Sequence, residues 1–218
     1  MATTNEFSPE SLSRILLQKA SKLYNKHVIF EGLDLDLAKG HALAVTGPNG
    51  SGKSTLIKVL AAYITLTKGN IIWLDGEKPI HPDKVFKRTS MAAPYLDLFD
   101  EFTLRENAKI YGELKGFRYN MTVDDIIDFI GLPNASDKKL KSFSSGMKQR
   151  CKLALAFCAD SDLLLLDEPL SNLDAAGYNW YKKASESFCK ERIVVVGSNL
   201  KGDETFFCSE TINIDRII

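Results

Sequence analysis

Apolar and acidic residues alternate through Leu33, Asp34, Leu35, Asp36 and Leu37, the period of a strand with one wet face, so this segment reads as the edge of a sheet. From Ile15 onward the chain reads as strand, hairpin and strand. Lys39-Gly40 then turns into a short buried-type strand at residues 41–45, which runs straight into a glycine-rich loop and an apolar-periodic helix starting near Lys53. Gly69-Asn70 turns into a further strand at 71–74, closed by Asp75-Gly76. Between about residues 94 and 158 the pattern is mostly helical. One helix opens at Phe102-Thr103, a second covers 124–130 and stops at Gly131-Leu132-Pro133, and a third covers 147–158 behind the cap Ser144-Ser145. Residues 163–167 and 193–196 return as continuous apolar runs of the kind buried on both faces of a parallel sheet. The pattern predicts an α/β chain whose parallel-sheet core is interrupted by a helical insert, with no internal repeat.

A length of 218 residues gives room for one domain, and a 44% hydrophobic, 26% charged composition predicts a packed core rather than disorder. Lys plus Arg (28) balance Asp plus Glu (28), so no whole-molecule field gathers nucleic acid or an anionic membrane, and any anion site is local. Apolar stretches such as 153–159 are far short of the roughly 18–20 residues that span a bilayer. Residues 1–14 lack the basic start and apolar centre of a signal peptide and read as a flexible arm before a single domain at 15–218, which points to the cytoplasm. Cys151, Cys158, Cys189 and Cys208 form no CxxC pair and read as buried free thiols. His27, His41 and His81 have no metal-ligand spacing, and the basic cluster at Lys138, Lys139, Lys141, Lys148, Arg150 and Lys152 reads as a solvated face, so no nucleic acid is expected.

Gly47, Pro48, Asn49, Gly50, Ser51, Gly52, Lys53 and Ser54 satisfy G-x-x-x-x-G-K-[ST] between a strand and a helix. Gly50 and Gly52 leave space for backbone to wrap a phosphate chain, the helix start supplies partial positive charge, and Lys53 adds a full one. The Ser54 hydroxyl can ligate Mg²⁺, and Asp167, ending its strand, can hold that ion through its water shell. Glu168, the next residue, can accept a proton from the water that attacks the γ-phosphate, or it is a solvated strand tip.

Together with Tyr24, the loop through Thr55, the stretch Phe143-Ser144-Ser145-Gly146-Met147 and the run Ser171-Asn172-Leu173-Asp174, these residues resemble the ATP-binding cassette (ABC) ATPases over roughly residues 15–215. The stretch at 143–147 is similar to that family's LSGGQ motif, with Phe143, Ser145 and Met147 as replacements. The resemblance implies a P-loop NTPase fold: a RecA-like parallel-sheet core, an N-terminal antiparallel β subdomain and an inserted α-helical subdomain at approximately 95–158. It also implies ATP and Mg²⁺ as ligands and a head-to-tail pairing with a second ATPase subunit, as a homodimer of this chain. In that pairing Ser144, Ser145, Gly146 and Met147 of one copy cap the nucleotide held by the phosphate loop of the other. Tyr24 takes the place of the ring that stacks on adenine, or is an ordinary core or surface tyrosine. Asp174 takes the place of an aspartate that contacts the opposite subunit, or is a helix N-cap. A separately encoded transmembrane subunit is the implied partner, holding the chain at the inner face of the cell membrane.

Two positions depart from the family pattern. Pro94 stands where a glutamine normally touches Mg²⁺ and water, although neighbouring Tyr95 can partly substitute. Asn199 stands where a histidine senses the γ-phosphate; an amide can donate a hydrogen bond but carries no charge. Slow hydrolysis is the expectation. An ATP-gated dimer that scarcely hydrolyses, and a soluble ABC ATPase without a membrane partner, are the rival readings.

Overall fold

The computed structural model describes residues 11–132, 134–199 and 202–216. An antiparallel sheet comes first, built from β1 (Arg14–Tyr24), β2 (His27–Ala38), β4 (Lys68–Asp75) and β5 (Lys78–Ile80) in the order β2-β1-β4-β5. The β1–β2 hairpin closes on Asn25 and Lys26, both with positive φ (47° and 69°), as a two-residue turn requires. β2 is an edge strand, with Leu33, Leu35 and Leu37 buried and Asp34 and Asp36 exposed.

The second sheet is parallel, ordered β6-β7-β8-β3-β9, from β3 (Ala42–Thr46), β6 (Thr89–Ala92), β7 (Leu163–Asp167), β8 (Ile193–Ser198) and β9 (Glu210–Asn213). Its strands feed two cores by simple alternation. Leu43, Val45, Leu163, Leu165, Ile193 and Val195 pack with α1 (Lys53–Leu60) and the antiparallel sheet. Ala42, Leu164, Leu166, Val194 and Val196 face the other way, toward α5 (Ser145–Cys158) and α6 (Ala175–Phe188). A continuous apolar run, here four leucines, is therefore required, because a strand covered on both sides has no wet face.

A short α2 (Pro82–Val85) precedes β6, and the insert contributes α3 (Leu104–Lys115) and α4 (Val123–Ile130). Both insert helices start on reciprocal capping boxes, Thr103 with Glu106 and Thr122 with Asp125, and α4 stops on left-handed Gly131. The end of α5 is held from below by Arg192, which is fully buried and donates to the carbonyls of Ala156 and Ala159. A cation at a helix C-terminus is favourable, but burial still pulls its pKa down to about 10.

Three expectations need correction. Leu12 is fully buried, Ser13 N–H donates to Leu74 O at 2.8 Å and β1 starts at Arg14, so residues 11–14 belong to the domain rather than to an arm. Residues 1–10 lie outside the described residues. The stretch 94–103 is loop, so the helical run begins only at Leu104. Finally, Cys208 is only partly buried, whereas the other three thiols are buried; all four are free. Among the described residues no helix is long and apolar enough to cross a membrane, and no His, Cys, Asp and Glu cluster could hold a metal by itself.

Candidate active site

The glycine-rich loop leaves the end of β3, an interior strand of the parallel sheet between β8 and β9, and delivers the chain into α1. Gly47, Gly50 and Gly52 all have positive φ (151°, 82° and 106°). At Gly52 a Cβ would also lie 2.4 Å from Ile29 Cγ2, so both conformation and contact demand glycine there. Ser51 N–H donates to Pro48 O at 3.2 Å and tightens the loop. Lys53 is 4% exposed and donates to the carbonyls of Gly47 and Pro48, both at 2.9 Å, which stations its ammonium inside the loop. No side chain caps α1, and its first internal bond is Leu56 N–H to Gly52 O. Asn49, Gly50, Gly52, Lys53, Ser54, Thr55, Glu168 and the β2 residue Ile29 line a polar hollow of about 190 Å³.

Asp167 ends β7 beside that hollow. It is 1% exposed, and neither carboxylate oxygen makes a hydrogen bond of good geometry. Burial raises its pKa; the neighbouring Ser54 hydroxyl and Lys53 oppose the rise, while Glu168 adds to it. Gly197, opposite Asp167 in β8, makes the space: a Cβ there would sit 2.8 Å from Asp167 Oδ1. A buried carboxylate with unused lone pairs, next to a serine hydroxyl and an uncapped helix start, fits a divalent cation and a phosphate chain.

Glu168 follows with φ of 47°, the left-handed region a non-glycine residue seldom enters. Its N–H donates to Gly197 O at 2.8 Å, and its carbonyl accepts from Ser171 N–H at 3.1 Å. The turn lifts its carboxylate to the rim, where Ser171 Oγ and Asn199 Nδ2 each approach at 3.4 Å. Asn199 Nδ2 also donates to Asn49 Oδ1 at 3.0 Å. Loop, β7 tip and β8 tip therefore meet at three side chains.

The other sequence-marked residues gather elsewhere. Ser144, Ser145, Gly146 and Met147 line a separate hollow of about 340 Å³ together with Asn172 and Asp174, and it shares no lining residue with the first. Ser144 Oγ is the N-cap of α5, accepting from Met147 N–H at 3.2 Å, and Asp174 Oδ1 is the N-cap of α6, accepting from Gly177 N–H at 2.7 Å. Tyr24 is 45% exposed at the hairpin tip, with the Lys22 ammonium 4.7 Å from its ring centroid, and does not line the phosphate hollow. Pro94 is exposed in the loop after β6. Tyr95, beside it, carries the Lys58 ammonium over its ring at 3.9 Å and touches Met91 Sδ at 3.8 Å; burial, and then the charge of Asp167, push its hydroxyl pKa up.

Two residues escaped sequence reasoning. Buried Gln149 donates to Pro169 O at 2.9 Å, joining α5 to the turn after Glu168. Glu204 is buried behind Ser198 and Leu170, with its pKa raised by burial. In sequence it lies in a charged stretch that looks solvated. The basic cluster is largely matched by carboxylates: Lys139 and Lys141 by Glu101, Lys148 by Asp100 and Lys152 by Asp97.

A phosphate loop between strand and helix, with a buried aspartate at the tip of a parallel strand two places along the same sheet, defines a P-loop nucleoside-triphosphatase fold. The family model for the ABC transporter matches residues 30–171, well over half of the chain, and the chain belongs to that family. Among its relatives, the ABC transporter ATP-binding protein YcbN of Bacillus subtilis (strain 168) is 30% identical over 199 residues, covering 90% of this chain and 64% of that protein. The daunorubicin/doxorubicin resistance ATP-binding protein DrrA of Streptomyces peucetius is 35% identical over 161 residues, covering 72% of this chain and 49% of that one. The chain thus spans about half to two thirds of the length of these two relatives. A solved chain from Pyrococcus furiosus, assigned there to the ABC transporter ATP-binding proteins, shares the fold with a TM-score of 0.80 at 23% identity, over 94% of this chain and 99% of that one.

Proposed function

We propose that this chain binds MgATP in the phosphate hollow, hydrolyses it, and works as the ATPase subunit of an ABC transporter. The observation that carries the reading is Asp167, a buried carboxylate with unused oxygens set beside Ser54 and the phosphate loop. Ser54 and Asp167 are the residues to hold Mg²⁺, which when bound neutralises phosphate charge. Lys53 and the amides opening α1 grip the phosphates. Glu168 takes a proton from the attacking water, and the Asn199 amide, within 3.4 Å of Glu168 and 3.0 Å of Asn49, orients that carboxylate.

The hollow around Ser144–Met147 shares no residue with the phosphate hollow, which supports a head-to-tail homodimer in which each copy caps the other's nucleotide. Ser145 and Gly146, on the first turn of α5, supply the amides for this cap, since the Ser144 hydroxyl already serves its own helix. An apolar groove of about 190 Å³ between insert and core, lined by Leu96, Leu98, Phe99 and Ile110, supports docking of a separately encoded transmembrane subunit at the cytoplasmic face of the membrane. Pro94 and Asn199 favour slow turnover.

The test is Glu168→Gln at saturating MgATP in analytical ultracentrifugation. A stable dimer that dissolves on removing Mg²⁺ or on adding Lys53→Ala is expected. A monomer throughout overturns the sandwich.

A further inference from the structure

The turn after β7 and the end of β8 carry Glu168 and Asn199, and a backbone bond ties the two segments at their tips. Glu168 N–H reaches Gly197 O at 2.8 Å, one residue before Ser198. A second tie lies deeper. Glu204 is 1% exposed; one carboxylate oxygen accepts from Leu170 N–H at 3.0 Å, two residues past Glu168, and the other accepts from the Ser198 hydroxyl, one residue before Asn199. Its own carbonyl accepts from the buried Tyr181 hydroxyl at 2.8 Å, which fastens the Glu204 backbone to α6. Among the described residues its carboxylate is bonded by a peptide N–H and a hydroxyl rather than by a cation.

We propose that Glu204 is a positioning residue for hydrolysis, clamping the backbone that presents Glu168 to the backbone that presents Asn199. This inference rests on the hydrolysis reading above. Its physical ground is the φ of 47° at Glu168. A left-handed non-glycine residue lies above the usual backbone minima and persists only where its surroundings over-determine it. Gly197 and Ser171 hold the two backbone groups of Glu168, and Gln149 and Leu173 N–H hold the carbonyls of Pro169 and Leu170, which without Glu204 leaves the Leu170 N–H side of the turn free to shift. The Glu204 carboxylate stops that movement, and because it also holds Ser198, both reacting side chains keep one common reference.

Purified chain is assayed for steady-state ATP turnover, for affinity toward a fluorescent ATP analogue and for thermal midpoint, as wild type, Lys53→Ala, Glu204→Ala, Glu204→Gln and Tyr181→Phe. Glu204→Ala is expected to lower kcat roughly tenfold to a hundredfold, the consequence of an ångström-scale misplacement. Analogue affinity stays within about twofold, since the phosphate loop is untouched. Glu204→Gln keeps the acceptor for Leu170 and a polar partner for Ser198, so it restores most of kcat. Tyr181→Phe, which loosens only the Glu204 backbone, lowers kcat by a few-fold and serves if Glu204→Ala does not fold. Unchanged kcat in Glu204→Ala, or in Tyr181→Phe where the alanine variant is insoluble, overturns the proposal. So does a loss of kcat that glutamine does not rescue, or one matched by an equal loss of analogue affinity. Wild-type turnover no higher than that of Lys53→Ala overturns the hydrolysis reading itself, and the clamp's role with it.

Discussion

The sharpest steric test of the second hollow is Gly146→Ala. Gly146 is the second residue of α5, and a Cβ built on it would lie 2.6 Å from Asn172 O, about 0.8 Å inside the 3.4 Å at which ordinary contact begins. The obstacle is a backbone carbonyl, in a residue held at φ 66°, so it cannot swing aside as a side chain would. Overpacking of this kind costs about 1–3 kcal/mol, and a rigid obstacle argues for the upper half of that range. Replacing glycine by alanine in a helix returns at most about 1 kcal/mol, and less in the first turn. The net loss is about 1–3 kcal/mol, which for a chain of this size lowers the thermal midpoint by roughly 2–12 °C. Circular dichroism melting without nucleotide measures it, with Ser145→Ala, an exposed neighbour, as a control expected to stay within about 0.5 kcal/mol of wild type. The same substitution separates the α5 start from Asn172, so in the Glu168→Gln background it should also weaken the MgATP-dependent dimer. A midpoint equal to or above that of wild type refutes the contact argument, because helix propensity would then have won over a clash that is not there.

Two further outcomes follow from individual side chains. Asn199→His should raise ATP turnover, because an imidazole in place of the amide that reaches toward Glu168 and Asn49 adds a group able to carry charge; a fall in kcat at unchanged ATP affinity counts against the assigned role. Glu106 is held below the usual glutamate range, first by the backbone N–H of Thr103 and then by its hydroxyl. Since the folded state lowers this pKa, the bond stabilises α3 fully above the ordinary value of about 4.3 and is lost as pH falls through the depressed one. Urea midpoints measured from pH 6 down to pH 3 should therefore fall less steeply for Glu106→Gln than for wild type, and parallel curves would show the capping box to be inert.

The parts of the site that were legible in sequence are those where one residue type has a single physical use. Glycines at 47, 50 and 52 all sit at positive φ, and the leucines of β7 have no wet face to accommodate anything polar. The parts that stayed hidden depend on partners far along the chain. β6 reads Thr-Ser-Met-Ala, without alternation or a run of branched residues, and is a strand because it pairs in register with Leu163 through Leu166. α6 opens on Ala-Ala-Gly and carries its apolar content as aromatics, Trp180, Tyr181 and Phe188, which pack on Phe129 and Phe157 rather than forming an aliphatic stripe. Glu204 sits among Gly202, Asp203 and Thr205, a stretch whose composition says solvent; only the arrival of Leu170 and Ser198 makes burial tolerable.

Three unfavourable features fall on the phosphate loop and the tip of β7. The cores on both sides of the parallel sheet are apolar, yet the tip of β7 carries an unpartnered Asp167 carboxylate and a left-handed Glu168, and the phosphate loop carries an unpartnered Ser51 hydroxyl. Each lowers stability, and none is required by the fold: an apolar residue at 167, an alanine at 51 or a glycine at 168 would remove the penalty. All three are features that a phosphate chain with its cation relieves or uses, Asp167 through the ion, Ser51 within the loop and Glu168 at the rim. Glu204 shows that this chain elsewhere satisfies a buried carboxylate with a hydrogen bond to each oxygen. The unmet groups at 51 and 167 therefore mark a site shaped for what it binds rather than for the stability of the sheet around it.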